Sequence, residues 1–279
     1  MRNFVLSGLL IFMYTTSYSQ KADTLIKKLD SLSKKTDSAG SQKNNINPKA
    51  YTEQNEITFS SYFILLGSDL KQEVTAPFHW GKKGWLTFAG FAIAEGALAF
   101  ADRPIQVQAL ELRNNHPKLG NVSKYVTNFG GAYEGYILGA FGAYGLIFKS
   151  DKVKNTTLLA TQAYITGGAM EALIKTLTGR LRPDYYLGTN HSAVGTFEGP
   201  FTTAFKKDPF GNRTTSSFPS GHTTVAFAAA TVFAMEYKNT PFIPIFAYSA
   251  ATLIGLSRIT ENKHWTTDVL AGAMLGYFT

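Results

Sequence analysis

The stretch Pro219–Tyr237, PSGHTTVAFAAATVFAMEY, decides the fold because it joins a polar tetrapeptide directly to a long apolar segment. The apolar part is longer than a typical strand and lacks alternation of polar and apolar residues, which favours a helix. The tetrapeptide then lies at a helix N-terminus, where free backbone N–H groups and the positive end of the helix dipole point outward. Gly221 has no Cβ and lets an anion approach the backbone. We therefore predict an anion-binding helix start, with His222 beside it to exchange a proton near neutral pH.

Six apolar segments of this texture follow one another after Trp85. They are Leu86–Ala101, Tyr136–Phe148, Thr157–Ile174, Thr223–Tyr237, Phe242–Leu256 and His264–Phe278. Their length and their lack of period-two patterning indicate helices. Small residues four apart, as in the pairs Gly272 with Gly276 and Gly139 with Ala143, are expected to let neighbouring helices approach closely. The sequence predicts an all-α fold, a bundle of about six core helices.

The N-terminal part of the chain has a different composition. An apolar run from Phe4 to Met13, followed by small residues before Gln20, predicts a secretory signal peptide over residues 1–19. The alternative is an uncleaved anchor helix, for which this run is short. Residues 20–84 are expected to form a polar extension and linker, and residues 85–279 the helical domain. The export signal predicts a periplasmic or envelope location.

The net charge indicates which binding partners to expect, and the cysteine content excludes several kinds of site. The 27 Lys and Arg residues exceed the 19 Asp and Glu residues, for a formal net charge of +8. This surplus favours anionic partners such as acidic lipid headgroups or phosphorylated substrates. The positive charge is scattered and no groove-reading motif is present, so no nucleic-acid partner is expected. The chain has no Cys, which excludes disulfides, zinc–thiolate sites and a thiol nucleophile.

The apolar segments are short for membrane spans. Most hold about 13 to 18 residues, at or below the roughly 20 that cross a bilayer. Glu95, Gln162 and Glu171 interrupt them, and the mean hydropathy is −0.06, which is low for a protein with six spans. We therefore expect a globular helical domain outside the inner membrane that contacts lipid peripherally through its basic surface. Integral membrane contact is the alternative.

A second polar stretch, KTLTGRLRP, ends one of the apolar segments at Lys175–Pro183. Lys175 and Arg182 are seven residues apart, which is two helical turns, so they point to nearly the same side. Pro183 disfavours helical geometry at Arg182, and the helix is expected to end just before it. The two cations are then expected to converge on one anion. By itself this is weak support for an anion site, because basic residues are common at helix C-termini.

A third stretch, SRITENKHWTTD, covers Ser257–Asp268. His264 and Asp268 are four residues apart and are expected to share a helix face. A carboxylate in that position can accept the Nδ1 proton of His264 and leave Nε2 free as a nucleophile. Arg258 adds a cation at the end of the preceding helix. The alternative is a surface His–Asp pair worth only a few tenths of a kcal/mol.

Several of these residues also have an ordinary structural interpretation. Ser220 is a good N-cap. Glu171 can hold Lys175 in place or form an ordinary helical ion pair with it. Arg180 is close enough to assist in binding the anion, but it is expected to be a surface residue at a helix end. The remaining histidines are isolated and the sequence has no carboxylate cluster suited to Mg²⁺, so no metal and no cofactor are expected.

Together the three stretches read K-x6-R-P, P-S-G-H and S-R-x5-H-x3-D. This order resembles the three-part signature of the type 2 phosphatidic acid phosphatase and vanadium haloperoxidase superfamily, and every signature position is filled. The six apolar segments extend the resemblance from about Trp85 to Thr279. It implies an enzyme, a metal-independent phosphatase that hydrolyses phosphate esters. The implied substrate is a phosphorylated lipid of the phosphatidate, prenyl diphosphate or lipid A type, or a small-molecule phosphoester.

The resemblance also implies a role for each signature residue. His264 is the expected nucleophile that forms a phosphohistidine, and Asp268 the carboxylate that orients it. His222 is the expected general acid, and afterwards the base that activates water. The other signature residues are expected to bind the phosphate: Lys175, Arg182, Ser220, Gly221 and Arg258.

Two other functions stay open at this point. In haloperoxidases of the same superfamily, vanadate takes the place of phosphate, so vanadate would be the cofactor if the chain were one of them. Chain size and helix order favour the phosphatase, by analogy of fold. The third function is a non-catalytic, membrane-associated protein that binds phospholipid, which the intact residues His222, His264 and Asp268 disfavour.

Overall fold

The computed structural model describes residues 59–184, 195–202, 207 and 213–279. This part of the chain forms eight α-helices, and its β-structure is limited to two isolated bridges. The helices are α1 (Phe59–His79), α2 (Lys82–Asn115), α3 (Pro117–Asn128), α4 (Ala132–Ile147), α5 (Asp151–Thr178), α6 (Gly221–Glu236), α7 (Phe242–Thr260) and α8 (Thr266–Phe278). The predicted all-α fold is confirmed. The predicted signal peptide lies outside the described residues.

Each of the six apolar segments corresponds to one helix, namely α2 and α4 to α8. Helix α2 is much longer than its apolar segment and continues through Pro104 to Asn115. Helices α1 and α3 were not among the six predicted helices, because polar residues interrupt the apolar pattern in both. Helix α3 begins with Pro117 at its first position, where the missing N–H costs no hydrogen bond. Helix α1 lies inside the region predicted to be an extension and linker.

Helix α6 is the centre of the bundle and packs against α5, α7 and α8. All residues from Thr223 to Ala230 in its first half are buried. Helix α8 approaches it closely at two glycines: a Cβ on Gly272 would lie 2.6 Å from the Ser220 carbonyl oxygen, and one on Gly276 would collide with the Thr224 carbonyl. The prediction of close approach is confirmed for this pair. It is wrong at Gly139, where a Cβ would have no described atom within 4 Å.

Helix α5 ends earlier than Pro183 predicts. Gly179 follows its last residue in the left-handed conformation, with φ 57° and ψ 43°, and donates its N–H to the Lys175 carbonyl. A side chain at Gly179 would be strained there and would also meet Gly199. The glycine therefore ends the helix, leaving Lys175 in the last turn and Arg182 in the extended segment beyond it.

Two of the helices are long and apolar enough to cross a membrane, by length and composition alone: α2 and α7. The most apolar window of α2 has no buried residue. Large side chains such as Trp85, Ile93 and Phe100 are exposed along it. The argument that the apolar segments are too short for a span therefore does not hold for these two helices.

Candidate active site

The three polar stretches meet where α5 ends and where α6 and α8 begin. The backbone N–H of Ser220 donates to the Asp268 carbonyl at 2.8 Å, and that of Ser217 donates to the Arg180 carbonyl at 2.9 Å. Bonds of this kind fix the backbone of all three stretches relative to one another. The structure thus brings residues from separate parts of the sequence into one buried polar cluster.

His264 is buried, and its ring orientation is set by Ser217. Nδ1 lies 2.7 Å from the Ser217 carbonyl oxygen and 3.6 Å from Oδ2 of Asp268. Because a carbonyl can only accept, Nδ1 carries the proton and Nε2 keeps its lone pair. The predicted hydrogen bond from His264 to Asp268 is therefore wrong, since Nδ1 donates to the Ser217 carbonyl instead. Donation from Nδ1 to the Ser217 carbonyl still leaves the lone pair of Nε2 available, which is the consequence that was predicted.

Asp268 is fully buried and has hydrogen bonds on both of its oxygens. Oδ2 accepts from the Ser217 hydroxyl at 2.5 Å and from the Trp265 backbone N–H at 2.8 Å. Oδ1 accepts from Nη1 of Arg180 at 2.6 Å. Burial raises the pKa of Asp268, while Arg180 and these hydrogen bonds counteract that rise. Asp268 thus acts on His264 indirectly, through Ser217.

Arg180 is buried, and its predicted position on the surface is wrong. Nη1 donates to Asp268 and to the Thr267 hydroxyl, each at 2.6 Å, and Nη2 donates to Asp102 at 2.7 Å. The ring of Phe197 lies beneath the guanidinium, 5.0 Å away. The chain turns back after Gly179, and this turn carries Arg180 inward rather than into solvent.

Three signature cations have different partners. Lys175 forms an ion pair with Glu171, one turn earlier on α5. Arg182 donates to the Ser216 hydroxyl at 3.1 Å and to its carbonyl at 3.3 Å. Nη1 of Arg258 pairs with Glu261 at 2.7 Å, whereas Nε of Arg258 is buried and has no acceptor among the described residues. A buried donor of that kind is costly unless a ligand or a water molecule accepts from it.

The start of α6 is close to Glu171. A Cβ on Gly221 would lie 2.5 Å from Oε1 of Glu171, so a larger residue at this position would displace that carboxylate. Ser220 is the residue before the helix, but its side chain makes no capping bond. Its hydroxyl instead accepts from the Thr223 hydroxyl at 2.9 Å. Ser220 is therefore not the ordinary N-cap that was the structural alternative.

His222 lies in the first turn of α6 against the loop that joins α3 to α4. A Cβ on Gly131 would be 3.2 Å from Nε2 of His222, so this glycine leaves room for the ring. Burial, together with the charges of Arg258, Lys175 and Arg182, lowers the pKa of His222 to about 3. The same two causes lower the pKa of His264 well below its ordinary value. Both rings are therefore neutral at pH 7 in the ligand-free site.

Sequence reasoning missed Asp102, Ser217, Thr267 and the glycine loop beside His222. Asp102 is 78 residues from Arg180, so no local spacing connects them. Ser217 acts partly through its backbone carbonyl, a group that every residue carries. The one available signal was Asp102 itself, an acidic residue directly after the apolar segment Leu86–Ala101.

The region that contains this site is similar to known proteins. The PAP2 superfamily matches residues 156–279. Over 62 residues the chain is 48% identical to the lipid A 1-phosphatase of Porphyromonas gingivalis, covering 22% of this chain and 14% of that protein. Over 132 residues it is 32% identical to lipid phosphate phosphatase 1 of Arabidopsis thaliana, covering 41% of this chain and 39% of that protein. The chain thus aligns with less than half the length of either relative.

Among solved structures, the transmembrane PAP2 type phosphatidylglycerolphosphate phosphatase from Bacillus subtilis matches with a TM-score of 0.47 at 24% identity. The match covers 68% of this chain and 88% of that chain. The region matched by the family contains all three polar stretches, from Lys175 to Asp268. Residues 156–279 of the chain, which hold these stretches, are therefore similar to the PAP2 superfamily.

Proposed function

We propose that this chain is a metal-independent phosphatase that removes phosphate from a lipid through a phosphohistidine on His264. The state of the His264 ring carries the proposal. Nδ1 donates to the Ser217 carbonyl, so Nε2 keeps a lone pair while the charges of Lys175, Arg182 and Arg258 act on the same ring. A neutral imidazole beside three cations is suited to attack a bound phosphoryl group.

The phosphate-binding groups are the three cations and the start of α6. Nε of Arg258 supports this assignment, because it is a buried donor without an acceptor in the described part of the chain. A phosphate oxygen would complete it. The first turn of α6 adds free backbone N–H groups and the positive end of the helix dipole. These groups would also stabilise the charge that builds up on the equatorial oxygens in the transition state.

In the first step, Nε2 of His264 attacks phosphorus and forms a P–N bond. The P–O bond to the leaving group breaks, and the leaving oxygen takes a proton from His222. In the second step, His222 accepts a proton from a water molecule whose oxygen attacks phosphorus. The P–N bond then breaks, its electron pair returns to Nε2, and inorganic phosphate leaves. Both steps are complete with the residues of this site and one water molecule.

His222 must be protonated before the first step, although its pKa in the ligand-free site is about 3. The substrate can bring that proton, because a phosphate monoester with a second pKa of about 6 binds partly as its monoanion. Binding also offsets the positive charges of Arg258, Lys175 and Arg182, which are part of the cause of the low value. We therefore infer that the substrate supplies the proton on which His222 acts.

Metal independence is part of the proposal. Within the described residues, no group of three or more His, Cys, Asp or Glu side chains is arranged to hold a metal ion. The proposed role of the cations also leaves no step for which a divalent ion is required. Phosphate release that is unchanged by EDTA is expected, and loss of activity restored by Mg²⁺ would contradict this part.

The lipid substrate is proposed from two observations. The relatives are a lipid A 1-phosphatase and a lipid phosphate phosphatase, which act on phosphorylated lipids by their names. Helix α2 has an exposed apolar surface and sufficient length to cross a bilayer. We infer that the enzyme is associated with a membrane of the cell envelope and that its substrate reaches the site from lipid. The export signal predicted for residues 1–19 would place the site outside the cytoplasm.

The test combines a substrate panel with detection of the intermediate. Purified full-length chain in detergent is offered lipid A, phosphatidate, a prenyl diphosphate and a soluble monoester, and inorganic phosphate is measured. The expected result is release from at least one lipid, with ³²P retained on the protein as an acid-labile, alkali-stable adduct in rapid-quench samples. Labelling that persists in His264→Ala, or bromide oxidation that depends on added vanadate without any phosphatase activity, would overturn the proposal.

A further inference from the structure

A buried acidic residue outside the matched region holds the site from behind. Asp102 of α2 is 2% exposed, and both its oxygens accept hydrogen bonds. Oδ1 accepts from the Thr267 backbone N–H at 2.9 Å. Oδ2 accepts from the Thr267 hydroxyl at 2.5 Å and from Nη2 of Arg180 at 2.7 Å. Asp102 thus contacts both the segment after α5 and the first turn of α8.

The contact continues from Asp102 to the nucleophile through a series of hydrogen bonds. Arg180 donates its other terminal nitrogen to Oδ1 of Asp268 at 2.6 Å. Oδ2 of Asp268 accepts from the hydroxyl of Ser217, and the carbonyl of Ser217 accepts from Nδ1 of His264. We call these five residues the supporting chain. Four hydrogen bonds or ion pairs therefore separate Asp102 from the ring that attacks phosphorus.

A purely structural role does not explain this arrangement well. Asp102, Arg180 and Asp268 are at most 3% exposed, and two carboxylates share one guanidinium. Removing such charges from water is costly, and apolar residues of similar volume often stabilise a fold equally well. The cost is easier to account for if the charges fix a side chain that must be held accurately for catalysis.

Given the proposed phosphohistidine mechanism, we propose that Asp102 is a positioning residue for His264. By fixing Arg180 and Thr267, it holds Asp268 and Ser217 where they direct Nε2 of His264 toward the bound phosphate. The cations that bind the phosphate lie outside this chain of contacts. Loss of the Asp102 charge should therefore weaken the bond that Nε2 of His264 forms with a ligand. Electrostatic binding of phosphate by the cations should stay nearly unchanged.

Asp102→Asn is the informative variant because it keeps the shape of the side chain and removes its charge. Two probes separate the two kinds of binding. Orthovanadate forms a fifth bond to a nucleophile and so reports on Nε2, whereas inorganic phosphate stays tetrahedral and reports on the cations. Dissociation constants are measured by calorimetry on purified full-length protein. Gln106→Leu is the matched control, since Gln106 is equally buried on the same helix and donates to Ile259 and Asn262 instead.

The expected result is vanadate binding about 10- to 100-fold weaker in Asp102→Asn, the range typical for outer-shell partners of metal ligands. Phosphate binding should change less than twofold, and both constants should be unaffected in Gln106→Leu. On an active substrate, kcat should fall by the same factor with KM nearly constant. Equal weakening of both probes, or no change in either, would overturn the positioning role.

The outcomes also separate this proposal from the proposed function. If wild type binds vanadate more tightly than phosphate but releases phosphate from no substrate, the phosphatase proposal fails. The difference between the two probes in Asp102→Asn still decides the role of Asp102. If wild type binds neither anion, both proposals fall. If Asp102→Asn does not fold, Arg180→Lys provides the same comparison from the next residue in the supporting chain.

Discussion

The site has a supporting side, formed by Arg180 with Asp102 and Asp268, and a phosphate-facing side with the two histidines and three cations: His222, His264, Lys175, Arg182 and Arg258. The two sides differ in how their charges are paired. On the supporting side, Arg180 lies between two buried carboxylates and also donates to a hydroxyl. On the phosphate-facing side, Arg182 bonds only neutral groups of Ser216 among its described hydrogen bonds, and Nε of Arg258 has no described acceptor. Arg180, whose charge is paired by two carboxylates, holds other groups in place, whereas Arg182 and Nε of Arg258 keep donors available to a ligand.

Arg180 and Arg182 show the difference within one motif. They are two residues apart and chemically identical, so residue type alone assigns them the same role. The structure separates them by their partners: Arg180 contacts Asp102 and Asp268, while the charge of Arg182 acts on both site histidines. The partner of a buried arginine is therefore a better guide to its role than its place in a motif.

Removal of the nucleophile should have the largest effect on the phosphate-facing side. His264→Ala leaves no nitrogen to form the P–N bond, and kcat should fall by at least about 10⁴-fold, as when nucleophiles are removed from other covalent enzymes. Phosphate release from the active lipid is the measurement. His79→Ala is the control because His79 is exposed on α1, and it should retain full activity. Turnover above 1% of wild type in folded His264→Ala would assign the attack to another group.

Arg258→Lys tests whether the underpaired donor binds phosphate. The substitution keeps one positive charge but removes Nε and the planar fork, so kcat/KM should fall about 100- to 1,000-fold. The same change at Arg113, which donates to the Thr260 carbonyl at 3.3 Å, is the control and should cost less than twofold. If Arg258→Lys is nearly as active as wild type, charge alone matters and the distinction drawn from Nε is not supported.

Gly272→Ala tests the contact that joins the two sides. A Cβ there would lie 2.6 Å from the Ser220 carbonyl and 3.2 Å from Cβ of Thr223, so α6 and α8 would have to separate. Overpacking of this kind typically costs about 1–3 kcal/mol of unfolding free energy. Gly139→Ala is the matched control, because it meets no described atom within 4 Å and replaces glycine in a helix by the best helix former. Unfolding in detergent should show a loss in the first variant alone, and equal stabilities would contradict the packing.

Much of the fold could be predicted because its signals are local. The six apolar segments gave six of the helices, and the pair Gly272 and Gly276 gave the close contact of α8 with α6. The end of α5 was misplaced because the proline signal was preferred to that of Gly179, four residues earlier. The length argument against membrane spans does not hold for α2 and α7, because each of these helices contains a window of 18 residues that is apolar enough to cross a membrane.

The site was predictable to the extent that its residues belong to three short motifs. The charges of Lys175, Arg182 and Arg258 all lower the pKa of both His222 and His264, in keeping with one shared region. The supporting side was not predictable, because it depends on contacts across the bundle. No spacing rule joins Asp102 to Thr267, and the carbonyl of Ser217 has no signature in a sequence. Side-chain pairs that touch only after the helices pack need a structure to be found.

The pH dependence of the rate tests how the phosphate-facing side handles its proton. The low pKa of His222, about 3, means that the free enzyme holds almost no proton there between pH 6 and 8. The proton then has to enter with a phosphate monoanion, whose fraction declines as pH rises past about 6. Because the reaction needs this proton, kcat/KM for an alkyl phosphate should be constant below about pH 6 and fall about tenfold per unit above it.

An aryl phosphate provides the control for that profile, since its leaving oxygen is stable without a proton. His222→Ala should therefore impair hydrolysis of the alkyl ester far more than that of the aryl ester, and the aryl profile should be flatter. Initial rates at subsaturating substrate across pH 5–9 give kcat/KM for both esters. An alkyl profile that rises through this range would mean that the dianion is the reactive form of the substrate and that His222 does not receive its proton from it. The cations on the phosphate-facing side would then keep the His222 ring neutral with substrate bound as well, and the proton that the leaving group needs would have to come from another residue.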